Sequence, residues 1–143
     1  MGKKVFISGS RSISKINNEV MIFIERIISN KETILIGDCD GIDTVIQDYL
    51  SKRKYKDVIV YTSGDKPRNF KGESLWETVC LNESKDSYES ERDYYALKDI
   101  KMTKDCDYAL AIWDGNSKAT KNNIDRVESL NKLCIVLKIN QRS

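Results

Sequence analysis

Short apolar runs alternate along this chain with amphipathic stretches, and this alternation constrains the fold more than any other feature. The runs at 4–8, 33–36, 58–61 and 108–113 are almost continuously apolar and are followed by glycine or polar turns. Continuous runs are typical of parallel strands that are covered by helices on both faces, whereas half-exposed strands alternate with polar residues. With a last run at 133–139, the pattern predicts an α/β fold of five strands and four helices.

The order of these elements also predicts where a ligand would bind. Right-handed crossovers place them in a doubly wound, Rossmann-like parallel sheet, most simply with strand order 3-2-1-4-5. The first and fourth strands are then neighbours, and their connections leave in opposite directions. Ligands bind beyond the carboxyl ends of such strands, so the loops at 8–12 and 114–117 are expected to be two walls of one site.

The length of 143 residues suits a single domain with one core, over 1–143. Residues 63–87 interrupt the alternation and contain the only proline, Pro67. They are expected to form an inserted irregular loop with one short helical turn. Because no run approaches the ~20 apolar residues of a membrane span and the start carries no signal peptide, we expect a cytoplasmic protein without a membrane partner.

Composition excludes several kinds of chemistry. Histidine is absent, which removes imidazole bases, histidine-containing catalytic triads and histidine-ligated metals. The four scattered cysteines fit reduced thiols better than disulfides or zinc ligands. Since 24 basic and 22 acidic residues leave a net charge of only +2, no nucleic-acid partner is expected. We also expect no metal and no cofactor.

The loop after the first strand offers groups that suit an anion. Gly9 permits close backbone approach, Ser10 and Ser12 offer hydroxyls, and Arg11 suits a phosphate or a carboxylate. The alternative is that both serines cap the following helix and that Arg11 is solvated.

The loop after the second strand contains two glycines and several carboxylates. Gly37 and Gly41 are expected to let the turn pass close to a ligand. An EF-hand calcium loop is excluded, because its twelfth position would be Tyr49 rather than glutamate. Asp43 lies in the first turn of the second helix, where its carboxylate would either complement the helix dipole or contact the ligand.

The loop after the fourth strand combines a carboxylate with a helix start. Asp114 and Gly115 precede Ser117 and Thr120, an arrangement that suits a ribose on the carboxylate and a phosphate on the helix amides. Asn123 lies one turn further on the same face. The alternative is that Asp114 is a turn residue and Ser117 an N-cap.

Taken together, these segments resemble the YspA-like branch of the SLOG superfamily, which consists of small Rossmann-like domains. The resemblance covers nearly the whole chain and rests on Gly9-Ser10-Arg11, Gly37-Asp38 with Gly41-Ile42-Asp43, Pro67-Arg68-Asn69, Lys98-Asp99 with Met102, and 112–120. It adds Asp38, Arg68 and Asn69 to the candidate binding residues. It also implies a homo-oligomer and a ligand of the kind used as signals in conflicts between bacteria and phages.

The expected function is therefore to bind, and so to sense or sequester, a nucleotide- or NAD-derived small molecule such as an ADP-ribose-like signal. In this hypothesis Arg11 and Arg68 hold phosphate and Asp114 holds ribose. Trp76 or Trp113 would lie near the base, although Trp113, within an apolar strand, is expected in the core.

The alternative is a hydrolase that cleaves an N-glycosidic or phosphoester bond of a nucleotide. Its candidate acids, bases or nucleophiles are Asp114, Asp43 and Glu91. The lonely-guy phosphoribohydrolases of the same superfamily carry a P-G-G-x-G-T-x-x-E segment that this chain lacks. That difference favours binding over hydrolysis.

Overall fold

The structure is a computed structural model that describes residues 2–139, in which one parallel sheet lies between two layers of helices. The strands are ordered β4-β3-β2-β1-β5-β6, so the five expected strands keep their expected order and the Rossmann-like α/β class is confirmed. The elements along the chain are β1 (Lys4–Gly9), α1 (Asn18–Ser29), β2 (Thr33–Ile36), α2 (Ile42–Lys52), β3 (Val58–Thr62), β4 (Glu77–Cys80), a single 3-10 turn (Lys85–Ser87), α3 (Glu91–Asp105), β5 (Tyr108–Trp113), α4 (Lys118–Ser129) and β6 (Cys134–Lys138).

Each face of the sheet has its own apolar core because successive strand residues point to opposite sides. Val5 and Ile7 of β1 belong to the larger core, which includes the buried faces of α1 and α2. Phe6, between them, belongs to a second core with Met102 of α3 and Val127 of α4. Each large apolar side chain buried in this way contributes roughly 1.5–3 kcal/mol. Burial on both faces explains the continuous apolar runs.

Residues 63–87 differ from the expected irregular loop, because they contribute a sixth strand. β4 pairs in parallel with β3, from Ile59 opposite Glu77 to Thr62 opposite Cys80. The strand escaped sequence analysis because it is a short edge strand whose first half is exposed and polar. Trp76, just before it, is buried and donates its Nε1–H to the carbonyl of Tyr55 at 2.8 Å. Trp76 is therefore a core residue and is not free to lie near a base.

The cysteines are all free thiols, with Cys106 buried and Cys39, Cys80 and Cys134 partly buried. Within residues 2–139, no cluster of acidic or sulfur ligands has the geometry to hold a metal ion. No helix in the same range is both long and apolar enough to cross a bilayer.

Candidate functional site

A cleft of about 760 Å³ opens at the carboxyl ends of β1 and β5, between α3 and the start of α4. Its position is the switch point, since the chain leaves these neighbouring strands towards opposite edges of the sheet. The sequence-predicted residues that line it are Gly9, Arg11, Ser12, Asp43, Arg68, Glu91, Asp114, Ser117, Thr120 and Asn123. Those that do not line it are Ser10, Gly37, Asp38, Gly41, Asn69 and Gly115.

Asp114 fastens the loop after β1 to the loop after β5. Its Oδ2 accepts a hydrogen bond from Ser12 Oγ at 2.6 Å, and its Oδ1 accepts from the N–H groups of Asn116 and Ser117, both at 2.8 Å. Its own N–H donates to Ser10 Oγ at 3.1 Å. The Ser12 hydroxyl and then the two amides lower the pKa of Asp114 to about 2. The carboxylate is therefore ionised, unsuited to proton donation and already engaged by the protein.

The start of α4 forms part of the cleft wall. Ser117 is its N-cap and accepts a hydrogen bond from the Thr120 N–H at 3.4 Å. The buried Thr120 hydroxyl lies 3.2 Å from Ser117 Oγ and 3.4 Å from Ser10 Oγ. Because the first turn of α4 contains no acidic residue, none of its own side chains offsets the positive end of the helix dipole.

The loops after β2 and β3 satisfy each other's polar groups. Asp38 is buried and accepts hydrogen bonds from the backbone N–H and from Nη2 of Arg68, both at 2.9 Å. Burial alone would raise the pKa of Asp38, but Arg68 outweighs it and holds the pKa below its usual range. Asn69 Nδ2 donates to the Asp38 carbonyl at 2.8 Å, and Gln47 Nε2 donates to the Asn69 carbonyl at 3.1 Å. Asp38 and Asn69 therefore connect the loops after β2 and β3 to each other and do not line the cleft.

The glycines after β2 are needed for close packing within the protein rather than for a ligand. A Cβ on Gly41 would lie 2.4 Å from the Cα of Arg11, and its φ of +81° is a conformation that favours glycine. A Cβ on Gly37 would lie 2.7 Å from Asp43 Oδ2. The space expected for a ligand at these two positions is thus filled by the loop after β1 and by α2.

A buried ionic cluster lies at the base of the cleft. Lys98 is only 1% exposed, and its Nζ donates to the Tyr95 carbonyl at 2.8 Å and to Asp99 Oδ1 at 3.4 Å. Burial raises the pKa of Asp43 to about 7, although the Lys98 charge opposes that shift. Burial alone would lower the pKa of Lys98, but the carboxylates of Asp99 and Asp43 outweigh it. Lys98 therefore stays protonated, and Asp43 is the group that changes charge near neutral pH.

Four cations in the cleft lining differ from this cluster because they have no acidic partner within residues 2–139; one of them, Arg126, donates through Nη1 to Asn123 Oδ1 at 2.7 Å. Arg11, Arg92 and Lys118 take part in no ion pair within residues 2–139. Arg11 is exposed, and its one side-chain hydrogen bond within residues 2–139 is from Nη2 to the thiol of Cys39, at 3.9 Å. Glu91, in contrast, is exposed and pairs with Lys85 at 3.2 Å. Unpaired basic side chains therefore line the cleft although the whole chain is nearly neutral, and the exposed Asp93 is an acidic lining residue that also takes part in no ion pair within residues 2–139.

Sequence analysis missed several lining residues because they lie on helices rather than in loops. They are Arg92, Tyr95, Lys98, Asp99, Lys118, Asn122 and Arg126, of which Lys98 and Asp99 entered only through the SLOG resemblance. For Lys98 a signal exists, since it lies four residues after Tyr94 and four before Met102, on the buried face of α3. A lysine within an apolar helical face needs a charged partner in the fold.

A smaller pocket of about 310 Å³ lies beside the cleft. Trp113 lines it and is partly buried rather than a core residue as expected, because it is the last residue of β5. Its Nε1–H donates to the Ser117 carbonyl at 2.9 Å. The other lining residues are Arg92, Asn116, Ser117, Lys118, Lys121 and Asn122.

No protein-family model matches the sequence, and no curated protein is detectably similar to it. Among solved structures, the chain is similar to DNA processing protein A from Helicobacter pylori, a structure described for its unique mode of binding single-stranded DNA. The TM-score is 0.71 at 14% identity, over 99% of this chain and 67% of that chain. At this identity the similarity establishes the fold, and the SLOG resemblance stays a prediction.

The similarity contradicts two expectations from the sequence. Both the small-molecule function, with its hydrolase alternative, and the absence of a nucleic-acid partner conflict with a neighbour of this fold that binds single-stranded DNA. The net charge of the chain also does not exclude a nucleic-acid partner, because it averages over the whole surface. The acidic groups Asp38 and Asp43 are engaged within the protein, whereas Arg11, Arg92 and Lys118 are left without acidic partners among the described residues.

Proposed function

We propose that the cleft at the carboxyl ends of β1 and β5 binds single-stranded nucleic acid. The observation that carries the proposal is the set of three cleft cations, Arg11, Arg92 and Lys118, whose side chains have neither an acidic partner nor a hydrogen bond to a protein oxygen within residues 2–139. A cation without a partner can turn to a phosphate without breaking an ion pair, and it releases a counterion from the nucleic acid. The fold similarity to a single-stranded DNA-binding protein supports this class of ligand.

The start of α4 adds a second attraction for a phosphate. Lys118 is the first residue of this helix, and its first turn has no acidic side chain. Helix N-termini bind phosphates through unpaired N–H groups and the positive end of the dipole. Because Asp114 already accepts from the N–H groups of Asn116 and Ser117, and Ser117 Oγ accepts from the Thr120 N–H, we assign the phosphate to the Lys118 side chain and to the N–H groups of Lys118 and Ala119.

The cytoplasmic location expected from the sequence belongs to this proposal, since nucleic acid would be accessible there. Kinship with the SLOG superfamily, a role in conflicts between bacteria and phages, and assembly into a homo-oligomer stay predictions. An oligomer would place several clefts along one strand and would raise its avidity without any new contact.

The direct test is fluorescence anisotropy with a labelled thymidine oligomer of about 16 nucleotides, at the upper end of common single-strand site sizes. With three phosphate contacts, the logarithm of the association constant should fall with the logarithm of salt concentration with a slope of about −2. Arg11→Ala and Lys118→Ala should each reduce that slope by about 0.7. The matched control is Lys56→Ala, an exposed lysine before β3 at the opposite end of the strands, which should not change the slope.

Three competing ligands make the test specific. An RNA oligomer of equal length shows whether the 2′-hydroxyl matters, and a duplex of equal length shows whether unpaired bases are required. Thymidine monophosphate tests whether one nucleotide suffices. Binding of the monophosphate without binding of either single strand would contradict the proposal, as would a variant series in which Lys56→Ala weakens binding as much as Lys118→Ala.

A further inference from the structure

We infer that the small pocket beside the cleft binds one unpaired nucleobase, which stacks on the indole of Trp113. This inference rests on the proposed function and extends it by assigning a base to a place outside the cleft. The pocket of about 310 Å³ joins an aromatic ring to cations, and none of the described residues that line it is acidic. A nucleotide carries the matching pair of groups, an aromatic base and a phosphate.

The contacts of Trp113 leave its ring as the group available to a ligand. The Nε1–H, which is the only polar group of the side chain, is already engaged by the Ser117 carbonyl at 2.9 Å. The backbone is held as well, since Ile139 donates its N–H to the Trp113 carbonyl at 2.8 Å. The indole is therefore fixed in direction and partly exposed to the pocket, as a stacking platform requires.

The charges around the ring favour a nucleotide over an uncharged aromatic ligand. Arg92 and Lys118 have no acidic partner within residues 2–139, and the exposed Lys121 pairs only with the exposed Asp125 at 2.7 Å. The side-chain amides of Asn116 and Asn122 each offer a donor and an acceptor to a base edge. The neighbouring cleft, in contrast, includes the carboxylates of Asp43, Asp99 and Asp114.

The two cavities share a boundary, which defines a path for the strand. Arg92, Ser117, Lys118 and Asn122 line both of them. A phosphate held by Lys118 at the start of α4 would therefore have one neighbouring nucleotide in the cleft and the other beside Trp113. The proposed strand crosses the start of α4 and places one base on the indole.

Tryptophan fluorescence tests this placement, because the chain has only two tryptophans and Trp76 is buried. Titration of the wild-type protein with the thymidine oligomer should quench its fluorescence with the same midpoint as the anisotropy. In the matched control Trp113→Phe, where Trp76 is the remaining fluorophore, the quenching should disappear. Trp76→Phe should keep it.

The affinity of two further proteins separates stacking from packing. Trp113→Leu keeps an apolar side chain but loses the aromatic ring, and it should weaken oligomer binding about 5- to 150-fold, the range for loss of one stacked base. Trp113→Phe should lose much less. Unfolding midpoints establish that both variants fold, and if Trp113→Leu does not, the quenching measurement decides alone.

The outcomes distinguish this inference from the function on which it rests. If the oligomer binds but Trp113 is not quenched and Trp113→Leu binds as tightly as the wild type, the base does not stack there and only the inference is overturned. If no single strand binds to the wild-type protein, the proposed function itself is overturned.

Discussion

Two groups of charged residues line or support the same cleft and use their charge in opposite ways. In the inner wall, whose members are Asp38, Asp43, Arg68 and Lys98, the charged groups have partners within the protein. Asp38 pairs with Arg68, Lys98 pairs with Asp99, and Asp43 accepts a hydrogen bond from the Cys39 N–H. In the outer rim the charges have no acidic partner within residues 2–139; its members are Arg11, Arg92 and Lys118. Residue type alone therefore does not separate a structural arginine, Arg68, from a candidate binding arginine, Arg11.

Substitutions in the inner wall and in the outer rim should have different effects. Removing one partner of a buried charged pair leaves the other without compensation in a poorly solvated place, which lowers stability. Removing an exposed, unpaired cation breaks no internal contact and affects only ligands. Inner-wall variants should therefore unfold more easily, and outer-rim variants should bind more weakly at unchanged stability.

The largest effect is expected for Lys98→Met, which keeps the length of the side chain and removes its charge. Loss of the cation leaves Asp43 and Asp99 without their common counter-charge, so the free energy of unfolding should fall by about 3–5 kcal/mol at neutral pH. Urea denaturation measures this loss. Adding Asp43→Asn should recover part of it, and a loss below about 1 kcal/mol would show that the cluster is not the support we describe.

Asp38→Ala should have the next largest effect. It leaves the Arg68 backbone N–H and guanidinium without their acceptor, but the Arg68 side chain is 34% exposed and water compensates in part. We expect a loss of about 2 kcal/mol in unfolding free energy. The matched control is the exposed Asp65, which has no hydrogen bond or ion pair among the described residues and for which substitution by alanine should cost less than about 0.5 kcal/mol. Equal losses at both positions would remove Asp38 from the inner wall.

The pH dependence of stability tests the inner wall without removing a contact. The pKa of Asp43 is raised from an ordinary 3.8 to about 7, so the folded protein binds this proton more tightly than the unfolded chain. Its contribution is fully present below the unfolded pKa and is lost as the pH rises through about 7. Between those values the unfolding free energy should increase by up to about 1.4 kcal/mol for each unit that the pH falls.

The charged groups near Asp43 sharpen that measurement. Lys98 favours the ionised form, whereas Asp99 and Asp38 oppose it, after burial, which is the largest cause. Asp43→Asn should remove the slope over this pH range while other groups continue to titrate. Parallel curves for the wild type and this variant would mean that another group binds the proton.

The fold could be predicted from the sequence because strands that are buried on both faces are continuously apolar in sequence. The runs containing Val5, Ile34 and Leu110 are continuous since residues of both parities pack against helices. β4 could not be predicted, because this edge strand begins with the exposed Glu77 and has no continuous apolar run. The proximity of the loops after β1 and β5 could also be predicted. The alternation of strands and helices along the chain indicates the strand order, and that order makes β1 and β5 neighbours.

The inner wall and the ligand class could not be predicted in the same way. Asp38 meets Arg68 across 30 positions of sequence, and no periodicity records which side chains pair at that distance. Net charge also hid the difference between paired and free cations, which is a property of positions and not of composition. The expectation of no nucleic-acid partner was wrong because the net charge of the whole chain does not report the charges at one cleft.

The smallest effect on stability is expected for Arg11→Ala, and it completes the comparison when paired with Arg68→Ala. Arg11 contacts a single thiol at 3.9 Å, so its substitution should change the unfolding free energy by less than about 0.5 kcal/mol while it lowers the salt slope of oligomer binding. Arg68→Ala should cost about 1–2 kcal/mol, because Asp38 is left buried and partly unpaired. Similar stability losses for the two arginines would abolish the distinction between inner wall and outer rim, since Arg11 would then be supporting the fold as Arg68 does.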